Sequence, residues 1–209
     1  PNLDGSNCVV GFDLMKRNDF LAAGILINKL GFYYFITHTW VCKQSNDWHR
    51  IRAPLKEWEA MGLLTIVDDT EIDPALATSW VLSESTKHNY HISGIAADSY
   101  KYSLIKRELS AAGFDKVKEI RPSDIMRNAP MIQSVLQTHK LICGNNPLFR
   151  WSVNNTKMVP AVNNNFKFDK IEPKSRKNDP FMAFVHAFCL SEEVLLESNE
   201  LIFMDTLVY

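Results

Sequence analysis

Hydrophobic positions in the first forty residues fall into dense runs separated by polar breaks. "CVVGFDL" (Cys8–Leu14) is an apolar run of strand length, and "FLAAGILIN" (Phe20–Asn28) and "FYYFITHTWV" (Phe32–Val41) follow it. β-Branched and aromatic residues crowd the third run. The intervening "KLG" is a short glycine-bearing turn, so the second and third runs predict a hairpin. The chain is therefore expected to open with three antiparallel strands in succession.

The period then lengthens. "PLKEWEAM" (Pro54–Met61) predicts a helix closed by Gly62, and "LLTIV" a short strand. Leu76, Trp80 and Leu82 carry helical spacing through Pro74–His88, with Asp73 as the cap before a proline at the first helical position. "HISGIAAD" predicts a compact strand ending in Asp98, Tyr102–Ala112 a helix closed by Gly113, and "KVKEI" a further strand. "SDIMRNAPMIQSVLQTHKL" is helical in pattern, interrupted or started at Pro130, and is followed by "CGNNPLFRWSVNN". "NFKFDKIEP" predicts a strand or hairpin arm, and Asp179-Pro180 opens a final helix, "PFMAFVHAFCLSEEVLLE". A meander followed by strand–helix alternation predicts an α/β fold: a mixed sheet, three antiparallel strands and then parallel ones, flanked by helices on both faces. No internal repeat or low-complexity linker divides the chain, so a single domain over 1–209 is expected.

Composition narrows the classes. Formal net charge is −1 over 209 residues, no apolar stretch is long enough to span a bilayer, and no signal segment opens the chain. The cysteines Cys8, Cys42, Cys143 and Cys189 are scattered without a CxxC pair, which fits reduced thiols in a cytoplasm. Pro1 in place of methionine points to an excised piece of a longer protein. Charge is unevenly placed: Lys140, Arg150, Lys157, Lys167, Lys170, Lys174, Arg176 and Lys177 form a basic band, and the last residues are acidic. Such a band serves equally as a guide for a polyanion or as a solvated face.

Candidate chemistry begins with Asp13, a carboxylate inside the first apolar run. Ionised and buried, it costs several kcal/mol unless a cation holds it. Lys16 or Arg17 can supply that cation, or the strand can lie at an edge. Asp98 ends a strand expected to be parallel, where ligands of open α/β sheets gather, although it can equally cap the next helix. Asp179 stands at the mouth of the last helix and carries an N-cap signature of its own. If the first strand is central and neighbours the Asp98 strand, the last helix can cross the sheet and bring Asp179 to the same edge. Ala183 and Ala187 would permit its close approach. Three converging carboxylates need cations, and Mg²⁺ or Mn²⁺ takes such hard oxygen ligands; a pair of ions can assist phosphodiester hydrolysis. The acidic turn Asp68, Asp69, Glu71, Asp73 lacks the glycine and terminal glutamate of an EF-hand, and the histidines show no metal spacing. No GxSxG elbow and no GxxxxGK[ST] loop occurs.

Three blocks resemble the carboxyl-terminal nuclease domain of the large terminase subunit of tailed bacteriophages, in the RNase H-like superfamily. They are "GFDLMKRNDF", "CGNNPLFRWSVNN" and "KIEPKSRKNDPFMAFVHAF". Asn146-Pro147, then Trp151, then Asn154 or Asn155 is the more distinctive pattern, together with the basic run into Asp179-Pro180. The resemblance implies an RNase H-like nuclease domain from a terminase whose ATPase domain is absent here. It implies a two-metal endonuclease, using Mg²⁺ or Mn²⁺, that cuts concatemeric double-stranded viral DNA during packaging in the host cytoplasm. Asp13, Asp98 and Asp179 map onto its catalytic and metal-binding acids. In some relatives a histidine sits three residues before the last aspartate; here that position is Arg176. DNA phosphate contacts are expected from Lys16, Arg17, Arg150, Lys174, Arg176 and Lys177, with Phe149 and Trp151 in packing roles. The partners implied are double-stranded DNA and, in the full-length protein, the ATPase domain, the small terminase subunit and the portal, with no membrane. Other enzymes on this fold (hybrid nuclease, junction resolvase, transposase core) and a non-catalytic module docking on DNA or the portal are the alternatives.

Overall fold

The opening run becomes β1 (Asn7–Leu14), and both of its faces are covered, which is why its sequence is apolar almost throughout. A computed structural model describes residues 1–14, 20–98 and 102–191. β2 (Phe20–Lys29) and β3 (Phe32–Cys42) follow as antiparallel neighbours, joined by a turn with Leu30 and Gly31 at positive φ. β4 (Leu64–Val67) pairs parallel with β3, and β5 (His91–Asp98) pairs parallel with β1. β6 (Val117–Ile120) extends the sheet beyond β5, giving the order β4-β3-β2-β1-β5-β6, and the two-residue β7 (Leu141–Ile142) joins β3. The expected meander and parallel strands are both present. β1 is interior, between β2 and β5.

One face of the sheet, with Cys8, Val10, Phe12 and Leu14 of β1, is covered by α2 (Pro74–His88) and α3 (Tyr102–Ala111) through Ala77, Val81, Ile105 and Leu109. Asp73 caps α2 as expected, its carboxylate accepting from the Ala75 N–H at 2.9 Å. The other face holds α4 (Pro122–Gln137), α5 (Pro147–Asn154) and a last helix, α6, over residues 179–191, the limit of the described chain. A smaller cluster around Leu55, Trp58 and Leu148 seats α1 (Leu55–Ala60).

One local expectation changes, and two blocks gain detail. α4 begins at Pro122 and continues through Pro130 instead of breaking there. Asp124 Oδ2 accepts from the Arg121 N–H at 2.9 Å and secures its first turn, while Ala129, Ile132 and Val135 are buried beyond it. That burial outweighs the one backbone bond that a proline removes. The Asn-Pro block contains the short helix α5. Asn146 is its cap, accepting from the Phe149 N–H at 2.8 Å, with Pro147 at the first position. "NFKFDKIEP" supplies β9 (Phe166–Lys170), the second arm of a separate hairpin whose first arm is β8 (Thr156–Pro160).

α6 lies directly on β1. A Cβ on Gly11 would stand 2.0 Å from the Ala183 carbonyl oxygen and 2.7 Å from the Ala187 nitrogen, so only glycine admits the helix at this distance. The expected closeness at Ala183 and Ala187 is therefore present. Approaching so near, α6 also reaches the strand's main chain: His186 Nδ1 is 2.7 Å from the Phe12 carbonyl oxygen. A carbonyl only accepts, so Nδ1 carries the proton. Burial lowers the His186 pKa from 6.5 to about 4, against the opposing pull of the Phe12 carbonyl, so the ring is neutral. Between pH 6.5 and about 4 the unfolded chain binds a proton at this site that the folded chain does not. His186 therefore withdraws stability as pH falls through that window, on the order of 3 kcal/mol in all. Urea unfolding of wild type and His186→Gln across that range should show the difference in stability between them changing by about that amount.

Candidate active site

Asp13 is the penultimate residue of β1 and follows Val9 and Gly11 onto the α6 face. Gly11 is level with Ala96 of β5, and two residues further along each strand stand Asp13 and Asp98. Alternation thus puts both carboxylates on the same face of adjacent parallel strands, at their carboxyl ends. Asp13 is 7% exposed and Asp98 half-buried.

Asp179 arrives from the other direction, in the first turn of α6. The Asn178 carbonyl accepts the Met182 N–H at 2.9 Å, so Asn178 holds the cap position expected of Asp179, and the Asp179 side chain is left for the site. The segment before it is tightly held. The Glu172 carboxylate accepts from the Lys174 N–H at 3.0 Å and from the Ser175 N–H and hydroxyl. Asn155, fully buried just after α5, donates to the Lys177 carbonyl at 2.8 Å, while its own carbonyl accepts the Ile171 N–H at 2.8 Å. Asn155 is thus the member of the Asn154/Asn155 pair that ties the hairpin and the α6 entry together. Phe149 packs against Phe35 and Phe184, and Trp151 lies 5.5 Å from Trp58, so both aromatic residues do pack.

The carboxylates act on one another. Burial, then the charges of Asp179 and Asp98, push the Asp13 carboxyl well above its ordinary range, while Lys170 pulls it back. Asp13 and Asp179 are close enough for the charge of Asp179 to bear on Asp13. Ionised, both are acceptors and repel each other. Asp179 is fully buried, and neither of its carboxylate oxygens receives a hydrogen bond among the described residues. Its cation is Lys170, the last residue of β9, with Nζ 3.5 Å from Oδ2. The hairpin is seated for this contact by Phe168, whose ring meets Phe181 of α6 edge-on at 5.3 Å. Beside Asp179, Asn178 is 2% exposed and its side-chain oxygen likewise receives no hydrogen bond.

Lys170 belonged to the basic band in sequence but had no role there. The "FKFDK" alternation marks a strand and says nothing of what the strand's end will touch. Lys177 needs a correction. It is 1% exposed and pairs with buried Asp47 at 3.2 Å, also donating to the Pro173 carbonyl at 3.2 Å, so it cannot meet DNA from that position. Replacing it by methionine should cost about 3 kcal/mol in urea unfolding, because Asp47 is left charged and buried with the exposed Arg50, 3.7 Å away, as its remaining cation. Lys174, Arg176 and Arg150 are exposed, Arg176 reaching Asn155 at 3.4 Å and Arg150 reaching Asn145 at 3.2 Å. Alanine at Lys174 or Arg176 should leave stability within about 0.5 kcal/mol. If both touch phosphate, each change should also reduce the salt slope of DNA binding by about one. Lys16 and Arg17 lie outside the described residues, as does the rest of the expected last helix beyond residue 191.

A cavity of ≈510 Å³ opens elsewhere, at the β3 edge between β4 and β7, lined by His38, Trp80, Glu84 and Cys143 among others. None of the three aspartates lines it. The cysteines are free thiols, and no described helix is long and apolar enough to cross a membrane.

Among the described residues, no group of three or more His, Cys, Asp or Glu side chains is placed so that it could hold a metal ion. The donor chemistry nevertheless fits a hard divalent ion. All the acids present oxygen, and the two Asp179 oxygens are buried and receive no hydrogen bond among the described residues.

A mixed sheet of this order, flanked by helices on both faces, is an RNase H-like fold. The family model for the terminase large subunit, endonuclease domain, matches residues 1–193, and the chain belongs to that family. The large terminase of bacteriophage HK97 superposes with a TM-score of 0.77 at 19% identity, over 88% of this chain and 39% of that one. The large terminase nuclease from thermophilic phage G20c gives 0.58 at 12% identity, over 88% of this chain and 81% of that one. The same nuclease with bound magnesium gives 0.55 at 12% identity, over 88% and 80%. This chain thus spans well under half of the HK97 protein and most of the isolated G20c nuclease. No curated protein sequence matches it.

Proposed function

We propose that this chain is a divalent-metal-dependent endonuclease that hydrolyses phosphodiester bonds of concatemeric double-stranded viral DNA during genome packaging. Asp13, Asp98 and Asp179 are its metal-holding acids. The observation that carries this reading is the meeting of the three carboxylates at one sheet edge, with Asp179 wholly buried and its oxygens unsatisfied by any hydrogen bond among the described residues. A structural role for such a group would come with donors around it. Two bound Mg²⁺ or Mn²⁺ ions would supply charge neutralisation, an acidified water and stabilisation of the departing 3′-oxygen.

The chain's own part is positional. β1 and β5 hold Asp13 and Asp98 side by side, and α6 brings Asp179 to the same edge. In the metal-free state Lys170 neutralises part of the charge. Arg150, Lys174 and Arg176 present exposed cations to the DNA backbone, so binding is salt-sensitive and largely indifferent to sequence. In a full-length terminase, the ATPase domain, the small subunit and the portal are the proposed partners.

Supercoiled plasmid incubated with the purified chain and Mn²⁺ or Mg²⁺ should become nicked and linear, and EDTA should prevent this. Plasmid that stays supercoiled contradicts the enzyme reading and leaves a docking module. Faster cutting of RNA–DNA hybrid or branched DNA than of duplex assigns the site to another RNase H-like chemistry.

A further inference from the structure

We propose that His186 is a positioning residue. Its bond to the Phe12 carbonyl, together with the bare contact of Gly11 beneath Ala183 and Ala187, fixes α6 on β1 and so sets the interval between the Asp13 and Asp179 carboxylates. The inference rests on the metal-binding reading above and adds the device that holds that site to size.

The geometry is direct. Asp13 is the residue after Phe12, so the carbonyl that accepts from His186 belongs to the peptide unit leading into Asp13. Asp179, Ala183, His186 and Ala187 follow helical spacing along the side of α6 that meets β1. One end of the stripe is a metal-holding acid and the other is fastened to the strand that bears its partner. Gly11 permits the approach, but van der Waals contact alone leaves the helix free to slide along the strand. The hydrogen bond at 2.7 Å is directional and fixes the axial position. Neutral His186 adds no charge to a site already crowded with carboxylates, and it is fully buried, so water does not compete for the Phe12 carbonyl. Groups that orient a metal's ligands in this way typically change its affinity by about 10–100-fold when removed.

Three proteins separate positioning from packing: wild type, His186→Asn and His186→Leu. Asparagine keeps an N–H donor near the Nδ1 position but leaves a void and a polar group in the core. Leucine fills the space and has no donor. Thermal stability should fall in the order wild type, Leu, Asn, because volume decides it. Mn²⁺ affinity, measured by calorimetric titration of the metal alone, should fall in the order wild type, Asn, Leu, with at least a tenfold loss at Leu. If affinity follows stability, with Leu binding as tightly as Asn or better, His186 is packing and the proposal fails. His186→Met, equally without a donor, takes the place of Leu if that variant does not fold. Wild type that takes up no Mn²⁺ overturns the metal reading itself, an outcome distinct from binding that ignores residue 186.

Discussion

Asp13→Asn and Asp179→Asn should each lower DNA cleavage by about 1000-fold or more, some 4 kcal/mol of transition-state stabilisation, while Asp13→Asn should make the metal-free protein more stable. The second half is the distinctive one. Asp13 sits in a desolvated place beside two other carboxylates, and its pKa is raised, chiefly by burial and then by Asp179 and Asp98. A carboxyl whose folded pKa exceeds its unfolded value contributes most below the unfolded value and loses that contribution as pH rises through the folded pKa. At neutral pH it is therefore a net cost. Asparagine removes the charge at nearly constant volume, so metal-free Asp13→Asn should gain about 1–3 kcal/mol. For a chain of this size that is about 2–12 °C in Tm. The gain should vanish near pH 3.8, where the unfolded Asp13 also becomes neutral. Saturating Mn²⁺ should raise the Tm of wild type by mass action and leave the variants unmoved, reversing their order. Scanning calorimetry with and without Mn²⁺ measures both effects; an Asp13→Asn protein that loses activity and stability together would show that aspartate to be structural.

The second large effect belongs to Gly11. Gly11→Ala places a methyl 2.0 Å from the Ala183 carbonyl oxygen, and both partners are main chain, so neither can turn aside. Either α6 lifts or β1 buckles. The expected cost is about 3 kcal/mol or more, a fall of about 6–12 °C in Tm, and a separation of Asp13 from Asp179 that abolishes cutting even where the protein remains folded. Gly24 on the neighbouring strand is the control. There the added methyl would meet the Phe35 ring at 2.1 Å, a buried side chain packed against Phe149 and Phe184, so Gly24→Ala should also cost stability but, meeting no main chain of α6, should spare activity in the folded fraction. Equal losses of activity in the folded fraction at both glycines would mean that the β1–α6 contact has no special part in holding the site.

Much of this architecture was readable in the order of residues. β1, β2 and β3 announce themselves because each is buried through most of its length, and an apolar run of ten residues bounded by "KLG" has few alternatives to a hairpin. α2 was legible at both ends, from Asp73-Pro74 to the turn after His88. The elements that escaped are short or depend on distant partners: β7 is a two-residue addition to β3, and β8 exists through its pairing with β9. α5 hid inside a motif read for its resemblance, although its Asn146 cap followed by Pro147 is a helix signal in its own right.

At the proposed site, the three aspartates stand out in the sequence because their places on strand ends and a helix mouth carry a chemical logic. Their surroundings do not. Lys177 looked like one more member of a basic run, and its partner Asp47 stands 130 residues away in sequence, beyond the reach of any local pattern. Lys170 and Asn178 were missed for the same reason. His186 lacked metal spacing and so drew no attention, yet a histidine among "AFVHAF" facing a glycine-bearing strand has to find an acceptor somewhere.

Anomalous diffraction from a crystal soaked in Mn²⁺ tests the central claim most directly. The account predicts ion density at the carboxyl ends of β1 and β5, in contact with oxygens of Asp13, Asp98 and Asp179, with the Lys170 ammonium moved off Asp179. An anomalous map empty between those carboxylates at saturating Mn²⁺, or ions bound by other residues while Lys170 stays paired with Asp179, would contradict it.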